Sequence, residues 1–329
     1  MISPTGKGHA RSERHAVEAL AARGEHDLVV FVREDVTLDG VEVVPVRQRL
    51  TLEWELRALP RAAKRHRLDA FLTLSERLPL AGALPIVVWL FESPLHRIRQ
   101  NRRTRAPLKH RASDVVTAAV WKRSLRRAAH VAFGSEATRA EVEAAVTGLR
   151  STSVVYPGVP PGFSAGETER GDYVFHLGSS DPRDDTPTAV EACRRAGARL
   201  LVAGGWQGSG AEALGRVSDA ELVELYRGAA AYLDPSLYEG FGYGVLEAMA
   251  CGAPVVASDT TAIPEVTGGA ALLCPPRDVD AFADAVRRVL QEPELAENLR
   301  RRGRARAAQF TWERTGAGLV AALERALAA

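Results

Sequence analysis

Short apolar runs alternate with longer stretches of mixed polarity along most of the chain. Leu28-Val29-Val30-Phe31-Val32 has no polar interruption, the pattern of a strand buried on both faces. Val41–Val46, Ala70–Leu74, Pro85–Leu90 and Val131–Gly134 also read as strands. Between them, residues 9–23 place Ala16, Val17 and Leu20 at helical spacing, and Gly24 stands where that helix would stop. Leu52–His66, Ser113–Ala129 and Ser135–Gly148 predict further helices, the last opened by Ser135 as N-cap. Short apolar strands interleaved with helices define an α/β domain with a mostly parallel sheet.

A Pro/Gly-rich stretch, Tyr156–Gly162, and the polar run Ala165–Asp172 break this rhythm and read as a linker. The alternation then restarts. Strands are predicted over Tyr173–Leu177, Arg199–Ala203, Ala231–Asp234 and Pro254–Ser258. Helices are predicted over Thr188–Ala196, Ser218–Gly228, Val245–Ala250 and Val279–Gln291. Two consecutive doubly wound domains follow, 1–160 and 161–310, with a last helix over about 311–329 expected to pack back on the first. Ligands of open α/β sheets bind outside the carboxyl ends of the strands, so two such domains are expected to form a site in a cleft between them. A first strand should precede the Gly6-Lys7-Gly8 loop, and only Met1–Pro4 is available for a very short one.

Composition narrows the class. Hydrophobic residues make up 46% of the 329, enough for ordinary cores and too many for wholesale disorder. The longest apolar stretches, Leu84–Phe91 and Ala248–Ala257, fall far short of the ~20 residues that span a bilayer. No signal peptide precedes the first polar run, and Cys193, Cys251 and Cys274 lack CxxC or metal spacing, which fits a reduced, cytoplasmic protein.

The net charge of +2 conceals an asymmetry: residues 1–150 hold 26 basic and 17 acidic side chains, and 151–329 hold 17 and 24. The only lysines are Lys7, Lys64, Lys109 and Lys122. Any chemistry that needs a lysine in the C-terminal half is therefore excluded, a pyridoxal Schiff base included.

The most informative segment runs Asp234-Pro-Ser-Leu-Tyr-Glu239-Gly-Phe-Gly-Tyr-Gly-Val-Leu-Glu247-Ala-Met-Ala-Cys-Gly252. It leaves a strand, turns through three glycines and enters a helix. Glycines let the backbone approach a ligand, and the helix N-terminus offers N–H groups at the positive end of its dipole. That is a diphosphate site in outline. Glu239 and Glu247 would be repelled by a diphosphate, so they suit hydroxyls further out, such as those of sugars.

This segment resembles the retaining glycosyltransferases of the GT-B fold, the E-x7-E type of family 4 (glycosyl transferases group 1). Further matches lie in Ala128–Thr138, in Val217–Leu222 with Tyr226, and in Ala253–Asp259 with Pro264-Glu265-Val266. The similarity is close from about 128 to 290 and weak before that. The resemblance implies an α/β, GT-B architecture: two Rossmann-like doubly wound parallel-sheet domains facing across a cleft. It implies that Glu247 binds the ribose hydroxyls of a nucleotide-sugar donor and that Glu239 holds the transferred sugar. The amides around Gly240, Phe241 and Gly242 would position sugar and phosphates, and Gly6 and Gly8 would face the diphosphate from the N-terminal domain. Such enzymes generally work without a metal or other cofactor. Taken alone, the two glutamates would be an N-cap acid and a helix-surface acid.

Two departures stand out. The family places an Arg and then a Lys-Gly pair after the strand that opens its second domain, whereas this chain reads Gly178-Ser-Ser-Asp-Pro-Arg183-Asp-Asp-Thr186. Ser179 stands in place of the Arg and Asp184 roughly in place of the Lys. Arg183 is the cation in reach, and guanidinium can grip phosphate bidentately; the alternative is a surface arginine paired with Asp181, Asp184 or Asp185. In the N-terminal domain, Phe91-Glu92-Ser-Pro and then His96 occupy the place of a His that often reaches the reaction centre. Glu92 and His96 are the acceptor-side candidates, with helix capping the alternative role for Glu92.

Other motifs weigh less. Asp278-Val-Asp280 fits a metal-binding DxD string but opens a helix, so N-capping is the better reading. Thr5-Gly-Lys-Gly8 lacks the earlier glycine and the Ser/Thr of a P-loop, and the third glycine of a dinucleotide fingerprint. Between Arg97 and Arg127, eleven basic residues face only Asp114. The choices are a solvated face, an anionic acceptor, or peripheral contact with a membrane carrying a lipid-linked acceptor. Nucleic acid fits poorly, because no stacking aromatics are interleaved with the charges. Two functions remain open: a transferase acting on an acceptor hydroxyl, or a nucleotide-sugar-binding protein that has lost transfer and serves as a partner subunit.

Overall fold

The structure is a computed structural model that describes residues 8–32, 36–46, 53–73, 84–95, 98 and 108–329. The chain divides into two compact units, Met1–Gly158 with Thr311–Ala329, and Val159–Phe310.

In the first unit, helix α1 (Gly8–Arg23) leads to strands β1 (Val29–Val32) and β2 (Glu42–Pro45), which pair in parallel as a sheet of two. A π-helical turn over Trp54–Ala58 runs into α2 (Leu59–Arg65). Strands β3 (Phe71–Thr73), β4 (Ile86–Leu90), β5 (His130–Phe133) and β6 (Thr152–Val154) form a parallel sheet in that order. Helix α3 (Leu108–Arg127) starts five residues before the predicted Ser113, and α4 (Glu136–Ala145) is capped by Ser135, whose Oγ accepts from the Thr138 N–H at 3.0 Å. Strand β6 was not foreseen: Thr-Ser-Val is too short and too polar to show a strand pattern.

The apolar strand pattern has its cause in burial. Val87, Val88 and Trp89 are each fully buried, because β4 is covered on both faces. Trp121, Leu125 and Val142 cover one face; Ala322, Leu323 and Ala326 of the last helix, α11 (Trp312–Leu327), cover the other. Helix α11 also packs on α1, so closely that a Cβ at Gly316 would lie 2.8 Å from the Ala19 carbonyl oxygen. The Thr315 hydroxyl donates to the Tyr156 carbonyl at 2.7 Å and fixes the helix to the end of the first unit's chain. A cavity of about 600 Å³ lies beside the inner edges of the two sheets, lined among others by Val29, Phe31, Phe71 and Thr73. The predicted first strand, Met1–Pro4, lies outside the described residues.

The second unit holds β7 (Tyr173–Gly178), β8 (Arg199–Gly204), β9 (Glu212–Gly215), β10 (Ala231–Asp234), β11 (Val255–Ser258) and β12 (Leu272–Cys274). They form one fully parallel sheet in the order β12-β11-β10-β7-β8-β9. Counted from β7, this is the doubly wound order 3-2-1-4-5-6, with its switch point between β7 and β10. Helices α5 (Thr186–Ala196) and α9 (Val279–Gln291) pack together over a core of Val174, Val202, Leu233, Val256 and Phe282. Helices α6 (Asp219–Gly228) and α7 (Tyr243–Cys251) also pack together, with α7 against β10 and β11. A short helix, α8 (Ile263–Thr267), and α10 (Pro293–Ala307) complete the unit. Each fully buried Val, Leu or Phe contributes about 1.5–3 kcal/mol, so these cores hold the strand ends firmly. Asp278 caps α9 by accepting from the Ala281 N–H at 3.0 Å, so the DxD string is a helix start.

Candidate active site

Right-handed crossovers carry the chain away in opposite directions from β7 and β10, which leaves a crevice beyond their carboxyl ends. The loops that follow these two strands are the segments singled out in the sequence. The structure brings them together: the Leu237 N–H donates to the Arg183 carbonyl at 2.7 Å, joining the β10 turn to the β7 turn.

The β10 turn is built on a buried polar base. Asp234, 5% exposed, accepts from the Ser236 hydroxyl at 2.5 Å and its N–H at 3.2 Å on Oδ1, and from the Tyr232 hydroxyl at 3.2 Å on Oδ2. Burial, with the Asp234 charge second, pushes the Tyr232 phenol well above its ordinary pKa, so it stays a donor. Gly242, at φ 95°, makes the left-handed step into α7 that a side chain would resist. A Cβ at Gly244 would lie 2.4 Å from the Tyr232 hydroxyl oxygen, so that position also admits only glycine without rearrangement. The first-turn N–H groups of α7 have no acceptor within the helix and lie at its positive end.

Glu247 sits in α7 with 1% exposure, and the Tyr226 hydroxyl of α6 donates to its Oε2 at 3.3 Å. Tyr226 is held by Phe175 and Tyr232, with ring centroids 5.2 Å from each. A carboxylate this deep needs hydrogen-bond donors, because burial without them costs several kcal/mol. Glu239 is half-buried at the head of the turn. Its N–H donates to Thr261 Oγ1 at 2.9 Å, and its carbonyl accepts from the Ala262 N–H at 3.4 Å. Thr261 has φ 47°, an uncommon conformation for a β-branched residue, of the kind that clusters at functional sites. Phe241 is buried, stacked edge-on against Tyr243 and Phe310. Gly240 is buried within the same turn.

The β7 turn is acidic and internally bonded. Ser179 donates to Asp184 Oδ2 from its N–H at 2.7 Å and its hydroxyl at 2.5 Å, while its Oγ accepts from the Asp181 N–H at 3.0 Å. Asp184 thus braces the turn. Burial raises its pKa, against the lowering effect of the Ser179 hydrogen bonds. Arg183 is 31% exposed and holds Asp181 Oδ2 from Nε at 3.0 Å and Nη2 at 2.9 Å. Arg183 is thus a paired arginine, as in the second of the two readings of the sequence, and Asp181 is its partner.

His176, buried on β7, spans the switch point. Its Nδ1 donates to the Leu233 carbonyl of β10 at 2.9 Å, and its Nε2 accepts from the Thr186 hydroxyl at the start of α5 at 3.0 Å. Burial lowers its pKa, so the ring is neutral and this donor–acceptor assignment holds. One side chain thereby ties both strands to the root of the β7 turn.

Of the remaining sequence candidates, Glu92 follows β4 in the first unit. The neighbouring Ser93 caps that turn by accepting from the Leu95 N–H at 3.1 Å. Gly8 opens α1 and is not a loop residue, whereas Gly6 and His96 lie outside the described residues. Sequence reasoning passed over His176 and Thr261. His176 was visible as the one polar residue inside the apolar run of β7, but Thr261 gave no signal, because a positive φ predicts Gly or Asn. Among the described residues no group of three or more His, Cys, Asp or Glu side chains is arranged to hold a metal ion.

The fold recurs in solved structures. Sucrose-phosphate synthase from Thermosynechococcus elongatus superimposes with TM-score 0.77 at 20% identity, over 98% of this chain and 94% of that one. HepE of Anabaena, solved with UDP and glucose, gives 0.75 at 17% identity over 98% of both chains. The class is thus a GT-B fold of two Rossmann-like units. Residues 207–306, which include Glu239 and Glu247, match the model of the family glycosyl transferases group 1. Among sequence relatives, O-antigen chain mannosyltransferase B of Escherichia coli is 48% identical over 100 residues, 30% of this chain and 26% of that protein. Matches to the first three curated relatives span 26, 28 and 35% of those proteins' lengths.

Proposed function

We propose that the chain transfers a hexose from a nucleotide-diphosphate-sugar donor to an acceptor hydroxyl, retaining the anomeric configuration and using no metal. One observation carries this reading: the glycine turn with buried Glu247 and the Arg183 turn are bonded to each other at the switch point of a doubly wound sheet. In this reading Glu247 accepts from the ribose hydroxyls and Glu239 from the sugar hydroxyls. The amides of Gly240, Phe241 and Gly242 and the α7 N-terminus face the diphosphate. Arg183 exchanges Asp181 for a phosphate oxygen.

The bond from the anomeric carbon to the phosphate oxygen breaks, leaving positive charge on the sugar and negative charge on the diphosphate. Fixed N–H donors and the guanidinium stabilise that negative charge, which favours departure. The acceptor oxygen bonds to the same face of the anomeric carbon as its proton passes to the departing phosphate oxygen. The excess of basic residues in 1–150 favours an anionic acceptor.

Donor hydrolysis and transfer, measured over a panel of nucleotide sugars for wild type and Glu239→Ala, test the proposal. Turnover by wild type that falls in the variant supports it. Equal background rates for both, with donor still bound, would establish the binding-only alternative, which the existing Asp181–Arg183 pair favours.

A further inference from the structure

Helix α3 turns Trp121, Ser124 and Leu125 into the core, each at most 2% exposed. Its opposite side is unusual. Val115, Val116 and Val120 are 59, 62 and 38% exposed, three of the most exposed large apolar side chains among the described residues. At about 100° per residue they share one arc with Ala119, Arg123, Arg126 and Arg127, all four exposed. Arg126 Nε donates to the Thr147 carbonyl at 2.9 Å, which pins that arginine beside the arc. Among the described residues, none of Lys122, Arg123, Arg126 and Arg127 is in an ion pair, whereas most arginines of the second unit's helices are.

We infer that this valine–arginine face of α3 docks onto an anionic lipid bilayer. Branched apolar side chains and cations on one solvent-facing arc suit the boundary between acyl chains and negatively charged headgroups. Charge supplies the complement: between Arg97 and Arg127, Asp114 is the only acidic residue against eleven basic ones. A nucleic-acid partner would call for aromatic stacking groups, and this arc carries none. The inference stands independently of donor binding, because α3 lies in the first unit and the donor turns lie in the second.

The test is co-sedimentation of the full chain with phosphatidylcholine vesicles, with and without phosphatidylglycerol, at low and high salt. Wild type should pellet only with the anionic vesicles, and high salt should release it. Arg123→Glu/Arg127→Glu should weaken binding about tenfold or more, each cation near an anionic surface contributing a several-fold factor. Val115→Ser/Val116→Ser/Val120→Ser should weaken it comparably, with the melting temperature unchanged because all three side chains are exposed. Absence of wild-type binding would overturn the inference. So would undiminished binding by the valine variant, or equal capture of wild type and valine variant by polyuridylate RNA. A nucleotide-sugar thermal shift on the same variants keeps the two proposals apart, since it should be unaltered.

Discussion

Two turns leave neighbouring strands of one sheet, and they hold their charged side chains differently. The β10 turn stores its acids below the surface: Asp234 is saturated by Ser236 and Tyr232, and Glu247 is buried against Tyr226. Its outer face is left to glycine backbone and helix amides. The β7 turn keeps its charges at the rim, where Asp181 neutralises Arg183 and Asp184 fastens onto Ser179. Under the proposed function the β10 turn would meet a donor with groups already fixed, whereas the β7 turn would have to exchange Asp181 for a phosphate oxygen. Fixed donors cost no reorganisation when charge develops, so the β10 turn should carry most of the affinity. The β7 turn should tune it.

The largest effect should come from Gly244→Ala. Its methyl would meet the Tyr232 hydroxyl at 2.4 Å, and overpacking of this kind costs about 1–3 kcal/mol. Thermal denaturation should show a lower Tm and binding assays a lost donor site, while adding Tyr232→Phe should restore part of both. If the double variant is no better than the single one, the close contact is not what fixes the turn.

A smaller effect belongs to the β7 turn. Arg183→Ala should weaken donor binding by roughly 5- to 30-fold, the value of one charge-assisted hydrogen bond of about 1–2 kcal/mol. Asp181→Asn sharpens the comparison, since it releases the guanidinium yet keeps an acceptor for the Arg183 N–H. Donor affinity measured by calorimetry should then rise a few-fold. A fall would mean that Asp181 organises the site rather than competing for it.

Thr261→Val removes the acceptor for the Glu239 N–H and should reduce donor affinity by about fivefold, a loss near 1 kcal/mol. Thr261→Ser should recover it. An equal loss in Thr261→Ser, which keeps the hydroxyl, would mean that the hydroxyl contact with the Glu239 N–H is not what sets donor affinity.

The mildest test is pH. Burial, with Arg325 second, holds His130 at about 4 against an ordinary 6.5. Its ring nitrogens are engaged by Ser151 and Ser153 at 2.9 and 2.8 Å. The unfolded chain therefore binds the extra proton first, and this stability is complete above about 6.5 and lost as pH falls towards 4. His176, also lowered by burial, acts in the same direction. Asp184 and Asp185, raised mainly by burial, act in the opposite direction at the acid end. Melting curves should accordingly show Tm falling between pH 7 and pH 5; a flat profile would contradict buried neutral histidines.

Much of this was legible in the sequence, for identifiable reasons. Strands such as Val87–Leu90 and Ala231–Asp234 are covered on both faces, so burial wrote an unbroken apolar run into them. The Glu239–Glu247 turn showed itself because positive φ and close backbone approach demand glycine. The sites that stayed hidden depend on contacts between distant segments. Thr261 reaches Glu239 across 22 positions, and Tyr226 reaches Glu247 across 21, which no local pattern records. Arg183 was legible as a cation and as a candidate for pairing, but its partner was not, since Asp181, Asp184 and Asp185 were equivalent until the turn's geometry chose Asp181. Strands β9 and β12 were missed because their short, partly exposed runs resemble loops. The charge asymmetry between the halves proved less informative than two local facts: the acidic β7 turn, and the lack of ion pairs at Lys122, Arg123, Arg126 and Arg127 among the described residues.

The central claim is that the paired turns of the second unit bind a nucleotide-sugar diphosphate. Thermal unfolding of wild type and Glu247→Gln with a panel of nucleoside diphosphates and nucleotide sugars tests it most directly. A ligand that binds only the folded state stabilises it in proportion to ln(1 + [L]/Kd). The account predicts that at least one nucleotide sugar raises the wild-type Tm and that the rise is abolished in Glu247→Gln, whose fold is otherwise intact. No shift with any member of the panel, or the same shift in both proteins, would contradict it.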